Sequence, residues 1–343
     1  MLERLRRRRP VPQEIPSEPP VLSFGSWAQL DAGSVVQVCH PRWRGVRTVT
    51  HGFGGPIVEC DDLDRWSDEL LMRLREARVR LVVIQGWPPG AASFARALAS
   101  AGIPTKCVLH SSPVQHGAEP GEAQVVDEVL ALASEGVLTQ VGMAKAGLSE
   151  AFTSVGHPVA YVPNRAPALG SLEKCDLGPG LHIGVFAEPF WRKNVTTQLL
   201  AVGMMESATA HVMSRPANHY LDSLVVIEHG ELPYEEFVAL QGSVDLNLYV
   251  TLSECHPSTP QESYLAGVPC LISRTSAVFR SDPVLWDLTT VDEADNPVSI
   301  AAAAQRLMER RDEAVERAKT WIAEADRVGR EAWEVFTSRP PAH

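Results

Sequence analysis

Short apolar runs and longer amphipathic stretches alternate along most of the chain. Val35–Cys39, 80–85 (RLVVIQ), 105–110 (TKCVLH), 136–141 and 158–162 (PVAYV) are near-continuous hydrophobic runs. Such runs predict strands covered on both faces rather than half-exposed ones. Between them, 64–80, 90–101, 121–134 and 144–154 carry apolar residues at helical spacing, as with Leu70, Leu71 and Leu74. The second half repeats the pattern, with strands predicted at 181–187, 208–213 and 224–228, a helix in EEFVAL, and an apolar strand from Val244 to Val250. Strand and helix in alternation imply parallel sheets in an α/β fold. The last stretch is rich in Ala, Arg and Glu and reads as helix. Its Trp321, Ala325 and Val328 form a stripe expected to dock back on the first domain.

At 343 residues the chain is long enough for two domains. The pattern divides it into a disordered tail at 1–20, where an arginine run meets several prolines, and a first domain at 21–164. A linker follows at 165–180 (RAPALGSLEKCDLGPG), then a second domain at 181–312 and a terminal helix and tail at 313–343. A net charge of −11 argues against a nucleic-acid-binding role, although local basic clusters can still hold phosphates. Six scattered cysteines with no C-x-x-C pair indicate neither a disulfide framework nor a zinc site. The basic N-terminus leads into VPQEIPSEPP rather than an apolar segment, and no apolar run approaches the ~20 residues that cross a bilayer. A cytoplasmic protein is the expectation.

The most informative segment is Val244–Ser273, VDLNLYVTLSECHPSTPQESYLAGVPCLIS. It reads as strand, polar loop, helix and strand. Pro257 and Pro260 stop the first strand from continuing, Ser258 or Thr259 can cap a helix beginning near Pro260, and Gly267 with Pro269 ends it. Glu254 lies in the loop beyond the strand's carboxyl end, where ligands bind in open α/β sheets, and Glu262 lies in the first helical turn. Each acid alone is equally well a solvated loop acid or a helix-dipole acid. As a pair, with seven residues between them, the two could accept hydrogen bonds from separate parts of a polyhydroxylated ligand. Glu262-Ser-Tyr-Leu-Ala-Gly-Val-Pro269, preceded by Glu254, resembles the E-x7-E segment of retaining glycosyltransferases of the GT-B fold, family 4 in particular. Cys255-His256-Pro257 departs from the small residue, aromatic and glycine usual there.

The resemblance implies two Rossmann-like domains facing a cleft, with Glu254 on the donor sugar and Glu262 on the ribose, beside Ser258 and Thr259. In the segment after 181–187, Arg192 and Lys193 resemble the family's diphosphate clamp, and Asn194 can cap the following helix. Two cations at a helix N-terminus suit a diphosphate independently of any family. The family's arginine lies five residues before the lysine, and Glu188 stands there. His110, at a strand's carboxyl end, corresponds to a family histidine near the donor sugar and otherwise reads as an ordinary hydrogen-bonding residue. Leu232, in His229-Gly-Glu-Leu-Pro233, is a candidate for the nucleotide base. Gly54, in Gly52-Phe-Gly-Gly55, is a candidate for the Gly-rich loop near the donor phosphates, or part of a plain turn. Asp62-Leu-Asp64 has the form of a metal-binding D-x-D but reads more simply as helix-capping acids.

The implied activity is transfer of a sugar from a UDP- or GDP-sugar to an acceptor, with retention of anomeric configuration and no metal or other cofactor. Alternatives are a non-catalytic nucleotide-sugar-binding protein and a GT-B sugar-nucleotide epimerase. The acceptor, whether small molecule, peptide or glycan, and the oligomeric state are not legible. Arg65, Arg73, Arg75, Arg78 and Arg80 allow a peripheral contact with anionic lipid, and equally a solvated basic face.

Overall fold

A computed structural model describes residues 21–24, 27 and 30–338. The tail expected at 1–20 lies outside them. Two sheets of mostly parallel strands stand at the centre of two successive α/β units.

The first sheet has seven strands, β1 (Leu22–Phe24), β2 (Val35–Cys39), β3 (Ile57–Cys60), β4 (Leu81–Gln85), β5 (Thr105–Leu109), β6 (Gln140–Met143) and β7 (Val159–Tyr161). Their order is β1-β3-β2-β4-β5-β6-β7, and only β1 runs antiparallel to its neighbour. β4 and β5 are buried along their whole length, the polar Gln85, Thr105 and Lys106 included, as strands covered on both faces must be. The crossovers contain α1 (Arg44–Phe53), α2 (Leu63–Ala77), α3 (Ala91–Ser100), α4 (Pro113–Ala118), α5 (Pro120–Ser134) and α6 (Leu148–Ser154). The second sheet, wholly parallel, comprises β8 (Leu181–Val185), β9 (Ala208–Val212), β10 (Val226–Glu228), β11 (Leu246–Tyr249), β12 (Cys270–Ser273) and β13 (Thr290–Val291) in the order β10-β9-β8-β11-β12-β13. Its helices are α7 (Val195–Val202), α8 (Tyr234–Gln241), α9 (Thr259–Leu265), α10 (Pro283–Thr289) and α11 (Pro297–Glu309).

Chain order reverses between β2 and β4 in one sheet and between β8 and β11 in the other. These switch points leave crevices beyond the strands' carboxyl ends. The two crevices meet in a common cleft.

α12 (Arg311–Ser338) spans both units. Its first half packs Ala314, Val315, Ala318 and Ile322 into the second core. Trp321 stands edge-on to Phe279 and donates to Ser281, so it serves the second domain and not, as expected, the first. Val328 is exposed. Docking on the first sheet is done further along, where Trp333 stacks on Phe53 and Phe336 enters the core beside Val108 and Val162. Arg165 pairs with Asp326, and Arg80 donates to the Thr337 carbonyl. Arg80 therefore acts as a strut between the sheet and α12.

Other expectations are corrected locally. Residues 44–53 form α1 rather than part of a glycine-rich loop: Gly45 and Gly52 do not stop a helix whose Val49, Thr50 and Phe53 face the core. β6 starts at Gln140, because Val137 and Leu138 instead close the end of α5 through the Leu132 carbonyl. Asp62 accepts from the backbone N–H groups of Asp64 and Arg65, the capping role expected for the D-x-D. All six cysteines are free. Among the described residues no helix is long and apolar enough to cross a membrane.

Candidate functional site

A cavity of about 530 Å³ occupies the cleft. From the second sheet come Phe186, Glu188, Arg192 and Lys193 after β8, Tyr249 and Glu254 from β11 and its loop, and Ser258, Thr259 and Glu262 on α9. The first sheet contributes His110 after β5, Asn164 after β7, and the start of α1. Seven of the nine residues singled out from sequence thus meet here: Glu254, Glu262, Arg192, Lys193, His110, Ser258 and Thr259.

Gly54 and Leu232 do not line this cavity. Gly54 caps the C-terminal end of α1 with φ +76°. Leu232 borders a neighbouring groove, and its carbonyl accepts a 3.0 Å hydrogen bond from Arg44 on the other side of the cleft.

Glu254 is the hub of the cationic end. The Lys193 ammonium contacts its Oε1 directly and donates to the Tyr249 hydroxyl at 2.6 Å, and that hydroxyl donates to the same Oε1 at 3.0 Å. Arg192 lies 3.6 Å from Glu254 and 3.8 Å from Glu119 of the first unit. Burial and the adjoining Glu254 push the Tyr249 phenol well above its ordinary value, so it stays a donor. Tyr249 is a site residue that sequence reasoning passed over as one more apolar strand position. Glu188 is exposed on the cavity wall, at the place where the resembled family has arginine.

Arg192 and Lys193 form a single 3-10 turn, and Asn194 follows in the left-handed region at φ +55°. Asn194 does not cap α7: its side-chain amide donates to the Val250 and Ala294 carbonyls, which ties the cationic loop to β11. The cap expected from Ser258 or Thr259 is likewise not made, since Ser258 already has helical dihedrals and makes no side-chain cap bond. Pro260 does occupy the first turn.

At the opposite end, Glu262 is 3% exposed and accepts from the Tyr234 hydroxyl at 2.9 Å. Burial pushes its carboxyl up to about 7, outweighing the opposing pull of Tyr234 and Arg44. Burial also holds His110 and His256 down to about 4, so both are neutral imidazoles at neutral pH.

The cleft is closed by contacts between the two units. Lys145 donates to the Glu254 and Thr275 carbonyls at 2.7 and 2.6 Å, Asn164 donates to the His256 carbonyl at 2.6 Å, and the Cys255 thiol donates to the His110 carbonyl at 3.1 Å. The Arg44 guanidinium also lies 5.8 Å from the centre of the Phe237 ring. Lys145 and Asn164 gave no warning in sequence beyond polarity at the end of a strand, which many solvated residues share. Among the described residues, no group of three or more His, Cys, Asp or Glu side chains gathers as a metal site.

The arrangement can neutralise a diphosphate at one end and accept hydroxyl hydrogens at both ends.

No family model matches the sequence, and no curated protein matches it. Solved structures do match in fold. They include HepE from Anabaena in complex with UDP-glucose, with TM-score 0.65 and 12% identity over 88% of this chain and 100% of that one. Another is the trehalose-6-phosphate structure from E. coli bound with UDP-2-fluoro glucose, at 0.61 and 12% over 90% and 100%. A third is a UDP-forming α,α-trehalose-phosphate synthase from Burkholderia xenovorans in complex with glucose-6-phosphate, at 0.59 and 12% over 89% and 100%. At such identity the likeness is one of fold: the chain has the GT-B architecture of two Rossmann-like domains about a cleft.

Proposed function

We propose that this chain is a retaining glycosyltransferase that takes a nucleotide sugar, a UDP- or GDP-sugar, as donor. The observation that carries the proposal is the convergence in one cavity of Glu254, Glu262, Arg192, Lys193 and His110, drawn from two sheets and three crossover loops. The family-4 assignment rests on the Glu254 to Glu262 segment, and the solved structures of similar fold include complexes with UDP-glucose and UDP-2-fluoro glucose.

Charge placement gives the residues their roles. Arg192 and Lys193 lie where the diphosphate would sit, and their charge offsets that which develops on the departing nucleotide. Before a donor binds, Glu254 balances both cations and Tyr249 fixes the lysine beside it. The entering diphosphate shares these cations, leaving Glu254 oxygen capacity for a sugar hydroxyl. Glu262, hydrogen-bonded to Tyr234, faces the ribose. None of these steps needs a metal or a separate cofactor.

A non-catalytic nucleotide-sugar-binding protein is the second reading, favoured by Glu188 on the cavity wall and by the engagement of both cations with Glu254. One experiment separates the two. The protein is incubated with a panel of UDP- and GDP-sugars, with and without candidate acceptors, while free nucleotide and anomeric configuration are followed. Donor-dependent nucleotide release with retention is expected. Tight binding with no release from any donor would overturn the transferase reading.

A further inference from the structure

The loop that carries Glu254 runs from the end of β11 at Tyr249 to the start of α9 at Thr259. It contains no glycine, and none of its residues adopts the left-handed conformation that would let it turn sharply on itself. Its middle is nonetheless buried, with Ser253, Glu254, Cys255 and His256 at most 8% exposed. Buried carbonyls need donors, and a loop without a tight turn of its own must take them from elsewhere. The carbonyl of Glu254 accepts from the Lys145 ammonium at 2.7 Å, that of Cys255 from the Ala277 N–H at 3.4 Å, and that of His256 from the Asn164 amide at 2.6 Å.

Lys145 and Asn164 belong to the first unit, and its hold on the loop goes further. The Ser253 hydroxyl is hydrogen-bonded to the Ser112 hydroxyl, both buried, and the Cys255 thiol donates to the His110 carbonyl. Lys145, which follows β6, also donates to the Thr275 carbonyl at 2.6 Å, so one ammonium joins the loop after β11 to the loop after β12. An ammonium only donates, and in several directions, which suits carbonyls from separate loops. The Glu254 carboxylate is taken instead by Lys193, Arg192 and Tyr249. Those three line the cavity and Lys145 does not. Lys145 therefore grips Glu254 by its backbone from outside the site and leaves the side chain to the groups that face a ligand.

We infer that Lys145 and Asn164 are positioning residues for Glu254: the first unit, and not the loop's own fold, sets where this carboxylate stands in the cavity. The stretch so held, Cys255-His256-Pro257, is the one that departs from the small residue, aromatic and glycine of the resembled family. Donors from the first unit take over what a glycine turn would otherwise do. Removing the Lys145 ammonium strands two buried carbonyls and frees the loop, while β11 and β12 keep the ladder between them. That Glu254 meets a donor sugar rests on the glycosyltransferase reading; the clamp on its loop does not.

Hydrogen exchange followed by mass spectrometry on the full-length protein reads the clamp without any ligand. In Lys145→Met the amides of 250–258 should exchange about tenfold faster than in wild type, with those of β11 and β12 unchanged. Asn164→Ala, with the same expectation, serves if Lys145→Met does not fold. Unchanged loop exchange in a folded variant overturns the inference, as does an equal rise throughout the second domain, which would make Lys145 a general support. The placement of Glu254 is read by calorimetry with UDP-glucose, GDP-mannose, UDP and GDP. The ratio of nucleotide-sugar to free-nucleotide affinity should fall about tenfold in Lys145→Met and in Glu254→Gln, and no further when the two are combined. Free-nucleotide binding by Lys145→Met should stay within about twofold of wild type. An unchanged ratio in Lys145→Met, or strictly additive losses in the double variant, overturns the positioning role. Wild-type protein that binds none of the four ligands, beside faster loop exchange in the variant, would instead remove the glycosyltransferase reading and support the clamp.

Discussion

Replacing Glu262 with glutamine tests the electrostatic character of the site without presuming any ligand. The carboxyl is 3% exposed and its burial carries it from 4.5 to about 7. At about 1.4 kcal/mol per pH unit, this difference corresponds to about 3 kcal/mol, with no discount for solvent at so enclosed a position. The sign follows from linkage. The folded state binds the proton more tightly than the unfolded chain, so the group's favourable contribution is fully present below pH ~4.5 and is lost as pH rises through about 7. Glutamine keeps the size of the side chain and an oxygen for Tyr234 but does not ionise. Denaturant unfolding of wild type and Glu262→Gln at pH 5 and pH 8.5 should therefore give a stability difference that moves by about 2.5 kcal/mol in favour of the variant at the higher pH. A difference that is the same at both pH values would refute the claim that burial outweighs the pull of Tyr234 and Arg44.

Three further predictions concern the framework. Lys193→Met should destabilise by about 2–3 kcal/mol by stripping a buried carboxylate of its main cation, and adding Glu254→Gln should recover part of that loss; strictly additive effects in a double-mutant cycle would show that the pair is not coupled. Trp333→Ala removes the ring stacked 4.3 Å from Phe53 and should cost about 2–3 kcal/mol in denaturant unfolding, a near-neutral result excluding the end of α12 as the clasp on the first sheet. Gly90→Ala should cost more than about 3 kcal/mol. Gly90 has φ +79°, and a Cβ there would lie 2.2 Å from the Asp64 backbone nitrogen, so wild-type-like melting would contradict the close approach of the α2 and α3 starts.

The acids were legible because their signal is local. Glu254 and Glu262 are held by one strand, one loop and one short helix, and two prolines with a closing glycine mark that path in the sequence itself. Arg192 and Lys193 were legible for the same reason, lying directly after a strand. The capping roles given to Asn194 and Ser258 failed because capping depends on backbone dihedrals that distant partners decide. Asn194 is drawn by the Val250 and Ala294 carbonyls into a left-handed conformation. Helix α1 was hidden by its glycines and β-branched residues, whose low propensity is overridden when Val49, Thr50 and Phe53 find a core.

The sequence by itself determined the alternation of strand and helix, the parallel sheets, and the presence of acids and cations at strand ends. Each follows from periodicity and turn chemistry within about 30 residues. Tertiary structure decided which of those strand ends face one another. Only the meeting of two switch points puts Glu119 beside Arg192, Lys145 on the Glu254 carbonyl, and Asn164 on the His256 carbonyl. These pairs join residues far apart in the chain, and no local pattern carries them, because the geometry that joins them exists only once both sheets have formed and α12 has clasped one to the other.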